Sequence, residues 1–172
     1  MGIMADRLDA MVINVSSPDG QVHGELRDRD AISVSFEGES YSEYTERDLE
    51  RQLARLALLL WTGYQRGYDA ALSEATGQPV TRSRESWDAN RRRFRDAQAE
   101  TVAKGMSKEG YIYVETTGML SWQVVIRDGT LKELEETQFC EELIGAYHVM
   151  SAEYRAKMSQ LRAKHFGVSF QA

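Results

Sequence analysis

YIYVETTGMLSWQVVIRDG, Tyr111 to Gly129, decides the fold, because a looser version of it, NVSSPDGQVHGELRD, already stands at Asn14 to Asp28. Each reads as an extended segment, a turn ending in Gly, a longer extended segment and an Arg-Asp pair ahead of the next strand. The second half of the chain therefore reads as the first half again, a diverged tandem duplication.

In the first half, residues 11–16, 21–27 and 31–36 are expected strands, the last alternating Ile32, Val34 and Phe36 with Ser33 and Ser35. Pro18-Asp19-Gly20 supplies the first turn. Thr45, with Asp48 three residues on, is a weak capping box opening a helix. That helix carries Leu49, Leu53, Leu56, Leu60, Tyr64 and Gly67 on one face. The same spacings return at Leu143, Tyr147, Met150, Tyr154, Met158 and Leu161, which pairs the two helices at 94 residues. On that pairing the first unit carries about six extra residues between third strand and helix, where loops tolerate insertion.

SEATGQPVTRSRE, Ser73 to Glu85, reads as a short linker. A helix is expected from Ser83 to Met106, with Ser83 as N-cap and Trp87, Phe94, Gln98 and Val102 near one face. The units are thus residues 1–76, with a short or missing leading helix, and 83–172, joined by a linker at 77–82.

Helix, three-stranded meander and long amphipathic helix, with SPDGQVHGEL, AISVSF and RDLERQLARLALLL in one unit and SKEGYIYVETTGMLSWQVVIRDGTLKEL and CEELIGAYHVMSAEYRAKM in the other, resembles the YbaB/EbfC family of small bacterial proteins. The resemblance implies an α+β fold of two such units packed as an intramolecular pseudo-dimer. It also implies one of two functions. Acidic actinobacterial relatives look like accessory proteins of type VII secretion, which points to a protein-interaction adaptor with a protein partner. The wider family binds DNA with little sequence preference and associates with the nucleoid.

Composition weighs between them. With 42% hydrophobic and 28% charged residues the chain has ordinary globular usage. Residues 1–80 hold seven arginines and no lysine against 14 acids, a net −7, whereas 81–172 carry +1. An acidic half repels a polyanion, which favours the adaptor.

Arg82, Arg84, Arg91, Arg92, Arg93 and Arg95 form the dense basic patch. Arg84, Arg91, Arg92, Arg93 and Arg95 are the candidate phosphate-binding residues, since guanidinium groups fork onto phosphate oxygens. The competing expectation is that the acids of the first unit, Glu37, Glu39, Glu43, Glu46, Asp48 and Glu50, neutralise them. Gly63 and Gly67 cost the helix about 1 kcal/mol each relative to Ala. Either another backbone approaches closely there or the helix bends, so Gly63, Gly67, Tyr64 and Trp61 are the candidate interface. The aromatics Trp61, Tyr64, Tyr68, Trp122, Tyr111, Tyr113, Tyr147 and Tyr154 have core-compatible spacing; most are expected in the core and a few at an exposed groove for a partner, where Trp and Tyr are the usual anchors.

No GxSxG, Walker loop, HExxH or Cys-His pair is present, and adjacent acids such as Glu135-Glu136 and Glu141-Glu142 point to different helix faces. The expectation is a non-enzymatic protein without cofactor. His23, His148 and His165 lack partners at ligand spacing, so no metal is expected. No apolar run approaches the roughly 18 residues that cross a bilayer. Met1 to Asp9 lacks an export-signal core, and Asp6 stands where a myristoylation site needs Ser or Thr. With one cysteine, Cys140, a reducing cytoplasm is the expected location.

Overall fold

The computed structural model describes residues 2–78 and 89–167. Ser83, Arg84 and Trp87, with the linker from residue 79, lie outside the described residues.

Strands β1 (Val12–Ser16), β2 (Val22–Arg27) and β3 (Ala31–Phe36) form an antiparallel meander in the order β1-β2-β3. β4 (Val102–Met106), β5 (Ile112–Thr117) and β6 (Ser121–Ile126) form a second, in the order β4-β5-β6. The helices are α1 (Ile3–Asp9), α2 (Glu46–Thr76), α3 (Ala89–Ala99), the single turn α4 (Thr130–Glu133) and α5 (Glu136–Phe166).

The halves repeat one another atom for atom at their turns, at a constant spacing of 90 residues. Ser17 Oγ accepts from Val22 N–H and Ser107 Oγ from Ile112 N–H, each at 3.0 Å. Gly20 and Gly110, both at positive φ, donate to Ser17 and Ser107. α2 and α5 are each 31 residues long, starting at Glu46 and Glu136.

Three expectations are corrected here. The helices align at 90 residues, not 94, because an amphipathic stripe shifted by about one turn still matches itself. Leu49 therefore corresponds to Phe139 and Tyr64 to Tyr154. The eleven residues from Phe36 to Glu46 match the eleven from Ile126 to Glu136, so the first unit has no insertion there. Asn14–Asp28 likewise corresponds to Lys104–Gly118 rather than to Tyr111–Gly129, with Ser17-Pro18-Asp19-Gly20 matched by Ser107-Lys108-Glu109-Gly110.

The helix expected over Ser83–Met106 ends at Ala99. Thr101 turns its hydroxyl back to Ala97 O at 2.8 Å, and Val102–Met106 pairs with β5 from Val102–Thr117 to Met106–Tyr113. Helical periodicity through Val102 was accidental, because the same valine serves as the first residue of an alternating strand.

Caps fix where the long helices begin. Thr45 accepts from Asp48 N–H at 3.2 Å, and Glu135 forms a reciprocal capping box with Gln138. Gly77 and Gly167 end the helices in the left-handed conformation.

One apolar cluster draws on both halves: Val22, Leu26, Phe36, Leu49 and Leu53 pack with Ile112, Val124, Ile126, Phe139 and Leu143. Phe36 meets Phe139 edge-on at 6.0 Å, and Tyr41 donates to Leu134 O at 2.7 Å. At the start of α2, Glu50 accepts Ile126 N–H at 2.8 Å, Glu46 accepts Gly129 N–H at 3.0 Å, and Arg47 bonds Asp128 at 2.6 Å. These contacts give the unpaired backbone at the end of β6 its partners.

Candidate functional site

Between the halves lies a groove of about 620 Å³. Buried aliphatic side chains, Leu26, Leu53, Leu56, Leu60, Val114, Val124 and Leu143, form its floor. Aromatics line its walls: Trp61 stacks on Tyr64 at 5.8 Å and meets Tyr154 edge-on at 6.4 Å, with Tyr68, Trp122 and Tyr147 alongside. Of these eight aromatics, expected mostly in the core, only Tyr154 is buried. Five of the remaining seven line this groove, and Tyr111 lies under the Arg127 guanidinium at 4.3 Å.

The groove's rim is charged. Asp28, Arg29 and Asp30 come from the β2–β3 turn, where Asp28 and Arg29 adopt positive φ, and Arg155 and Arg162 come from α5. Arg29 is held by Asp9 at 2.8 Å. Arg155 and Arg162 form no ion pair among the described residues. The Tyr147 hydroxyl sits among Ser151, Arg155, Asp30 and Tyr64, and burial raises its pKa. The Trp61 indole N–H is buried without a hydrogen-bond partner among the described residues.

Gly63 and Gly67 serve a contact inside the chain. A Cβ on Gly63 would lie 2.7 Å from Ile13 Cγ2, and one on Gly67 would overlap Met11 Sδ. The element approaching α2 is therefore the side chains that enter β1, not another backbone, and α2 runs through both glycines as one helix. The closest backbone approach is elsewhere, at Gly105 of β4, where a Cβ would lie 2.5 Å from Met150 N and closer still to Ala146 O of α5.

Arg91, Arg92, Arg93 and Arg95 all lie on α3 and are exposed; Arg84 lies outside the described residues. α3 rests on the end of α5 through Phe94, whose ring meets Phe166 at 5.3 Å, and Gln98 donates to Tyr154 at 3.3 Å. Four of the six acids expected to neutralise these arginines have other partners. Glu46 and Glu50 bind backbone N–H groups around β6, Asp48 pairs with Arg51, and Glu37 with His23. Glu39 and Glu43 are exposed.

The two sheets differ on their outer faces. On the first, one cross-strand row is Ser16, His23 and Ser35; the matching row on the second is Met106, Tyr113 and Val125. Met106 is 55% exposed and Val125 36%. Within the polar row, His23 Nδ1 lies 2.8 Å from Ser16 Oγ and Nε2 lies 2.7 Å from Glu37. The order hydroxyl, imidazole, carboxylate is that of a nucleophile with its base, and no motif search finds it because the residues come from β1, from β2 and from the bend that follows β3. It lies on an open face with the carboxylate 65% exposed, where water screens the pairing that would activate the hydroxyl.

Cys140 is half-buried, its thiol pKa pushed up to about 11 by burial and by Glu136 and Glu141, so it is held as the unreactive thiol. Among the described residues no group of His, Cys, Asp and Glu is placed to hold a metal, and no helix is long and apolar enough to cross a membrane. No family model matches the chain, and no curated protein or solved structure matches it.

Proposed function

We propose that this chain is a non-enzymatic protein-interaction adaptor, built of two YbaB/EbfC-like units paired inside one chain as a pseudo-dimer. The observation that carries the adaptor reading is the row Met106–Tyr113–Val125, exposed at Met106 and Val125 and half-buried at Tyr113, standing where the other sheet has Ser16–His23–Ser35. Exposed apolar side chains in register across a sheet are costly unless something covers them. The next row holds the ion pair Lys104–Glu115, so the patch is close to neutral and suits a protein surface better than a polyanion. The shared core and the seam at β6 support the pairing, since a covalent link supplies the second unit at high effective concentration. An association with type VII secretion, as in the acidic relatives the sequence resembles, belongs to the same reading.

The test is affinity capture with the wild type and with a Met106→Glu/Val125→Glu variant, followed by reconstitution with each purified candidate partner. A protein that binds the purified wild type directly and loses binding by about 100-fold or more in the variant supports the adaptor, since two apolar anchors are removed. Identical binding by both proteins would overturn the assignment of this face.

A second reading, sequence-nonspecific DNA binding through α3, is favoured by one observation: Arg91, Arg92, Arg93 and Arg95 stand together, exposed, on one helix. Fluorescence anisotropy of a random duplex across a salt series distinguishes it. Binding that weakens steeply with salt and is lost in Arg91/Arg92/Arg93/Arg95→Ala would replace the adaptor by the DNA reading.

A further inference from the structure

We propose that the groove between the halves is a binding site for a single small amphipathic acid, an elongated apolar body ending in a carboxylate. This goes beyond the adaptor reading and does not depend on it, because the groove lies inside the molecule and the Met106 row on its outside.

Two observations carry the assignment. First, at about 620 Å³ the groove falls in the range of sites that enclose a small organic molecule, about 300–1,000 Å³. Its floor is aliphatic, so water there makes few hydrogen bonds and an apolar body displaces it at a gain. Second, the rim is divided by charge. Asp28 and Asp30 stand on the β2–β3 turn and Arg155 and Arg162 on α5, with Arg29 already held by Asp9. A carboxylate seated on the α5 side meets two guanidinium groups that pair with no carboxylate among the described residues.

The test uses three twelve-carbon probes of different headgroup below their micelle concentrations: laurate, 1-dodecanol and dodecyltrimethylammonium. Binding is followed by isothermal titration and by the fluorescence of the tryptophans, of which Trp61 and Trp122 line the groove. The expected result is saturable one-to-one binding in the order laurate, dodecanol, cation. Arg155→Gln/Arg162→Gln should weaken laurate by about tenfold or more, as loss of charge-assisted hydrogen bonds does, and leave dodecanol unchanged. Ala57→Phe, which fills the groove, should abolish binding of all three while circular dichroism stays native.

Should the filling variant unfold, the arginine variant alone decides, since both its substitutions are at exposed positions. Non-saturable binding, equal binding of all three probes, tighter binding of the cation, or laurate affinity untouched by the arginine variant would each overturn the proposal.

Discussion

Replacing Gly105 by alanine is expected to be the most damaging single methyl group that can be added to this fold. The new Cβ would lie 2.5 Å from Met150 N and 2.9 Å from Met150 Cβ, with Ala146 O closer still. Carbon atoms in ordinary contact stand about 3.5–4.0 Å apart, so α5 must retreat from β4 by about 1 Å. The obstacles at Ala146 and Met150 N are helix backbone, which cannot swing aside as a side chain would. Retreat lifts Met150 off Ala103, both of which have 0% exposure. Overpacking a core costs about 1–3 kcal/mol, and with backbone as the obstacle we expect about 3 kcal/mol. Urea unfolding followed by far-UV circular dichroism would read this as a midpoint lowered by roughly 1–3 M, given m values of about 1–3 kcal/mol/M. A midpoint within about 0.3 M of wild type would show that α5 does not rest on β4 at this residue, and the argument for the second unit's packing would fail.

Gly145 provides the opposite sign on the same helix: nothing lies within 4 Å of its Cβ position, so Gly145→Ala should raise stability by up to about 1 kcal/mol in the same assay. Glu50→Ala strips the Ile126 N–H of its acceptor at a side chain only 13% exposed and should cost about 2 kcal/mol, whereas Arg51→Ala, which breaks an exposed pair with Asp48, should cost under about 0.5 kcal/mol. Tyr41, with its pKa raised from the ordinary 10.0 to about 12 chiefly by burial, keeps its proton in the folded state after the unfolded chain has lost it. The native state then binds more protons, so stability present below pH 10 should fall as pH rises toward 12, and Tyr41→Phe should flatten that fall in unfolding measurements across the alkaline range.

Much of the secondary structure is legible in the residues because local signals agree. The alternation Ile32, Val34, Phe36 and the turn Ser17–Gly20 place the first meander to within a residue, and the Thr45 cap starts α2 where expected. The relation between halves was legible only in kind. Leu49 was paired with Leu143 rather than Phe139, since a stripe of 3.6-residue period carries no absolute register; the serine-to-backbone bonds at Ser17 and Ser107 carry it instead. β4 was missed because Val102 also fits the helical face of Phe94 and Gln98. The role of Glu46 and Glu50 had no local signal, because their partners lie some 80 residues away at the end of β6. The groove was hidden for a similar reason: spacing marks Trp61, Tyr64 and Tyr147 as inward, but whether inward means core or cavity is set by how the halves pack.

The claim that both halves complete each other within one chain is tested most directly by equilibrium urea unfolding at protein concentrations spanning a hundredfold range. Pairing inside the chain predicts a midpoint that does not move with concentration, together with the mass of one chain by light scattering before the transition. A midpoint that climbs with concentration would show that the units pair between chains, as mass action requires of a folded state that is a dimer, and would contradict the account.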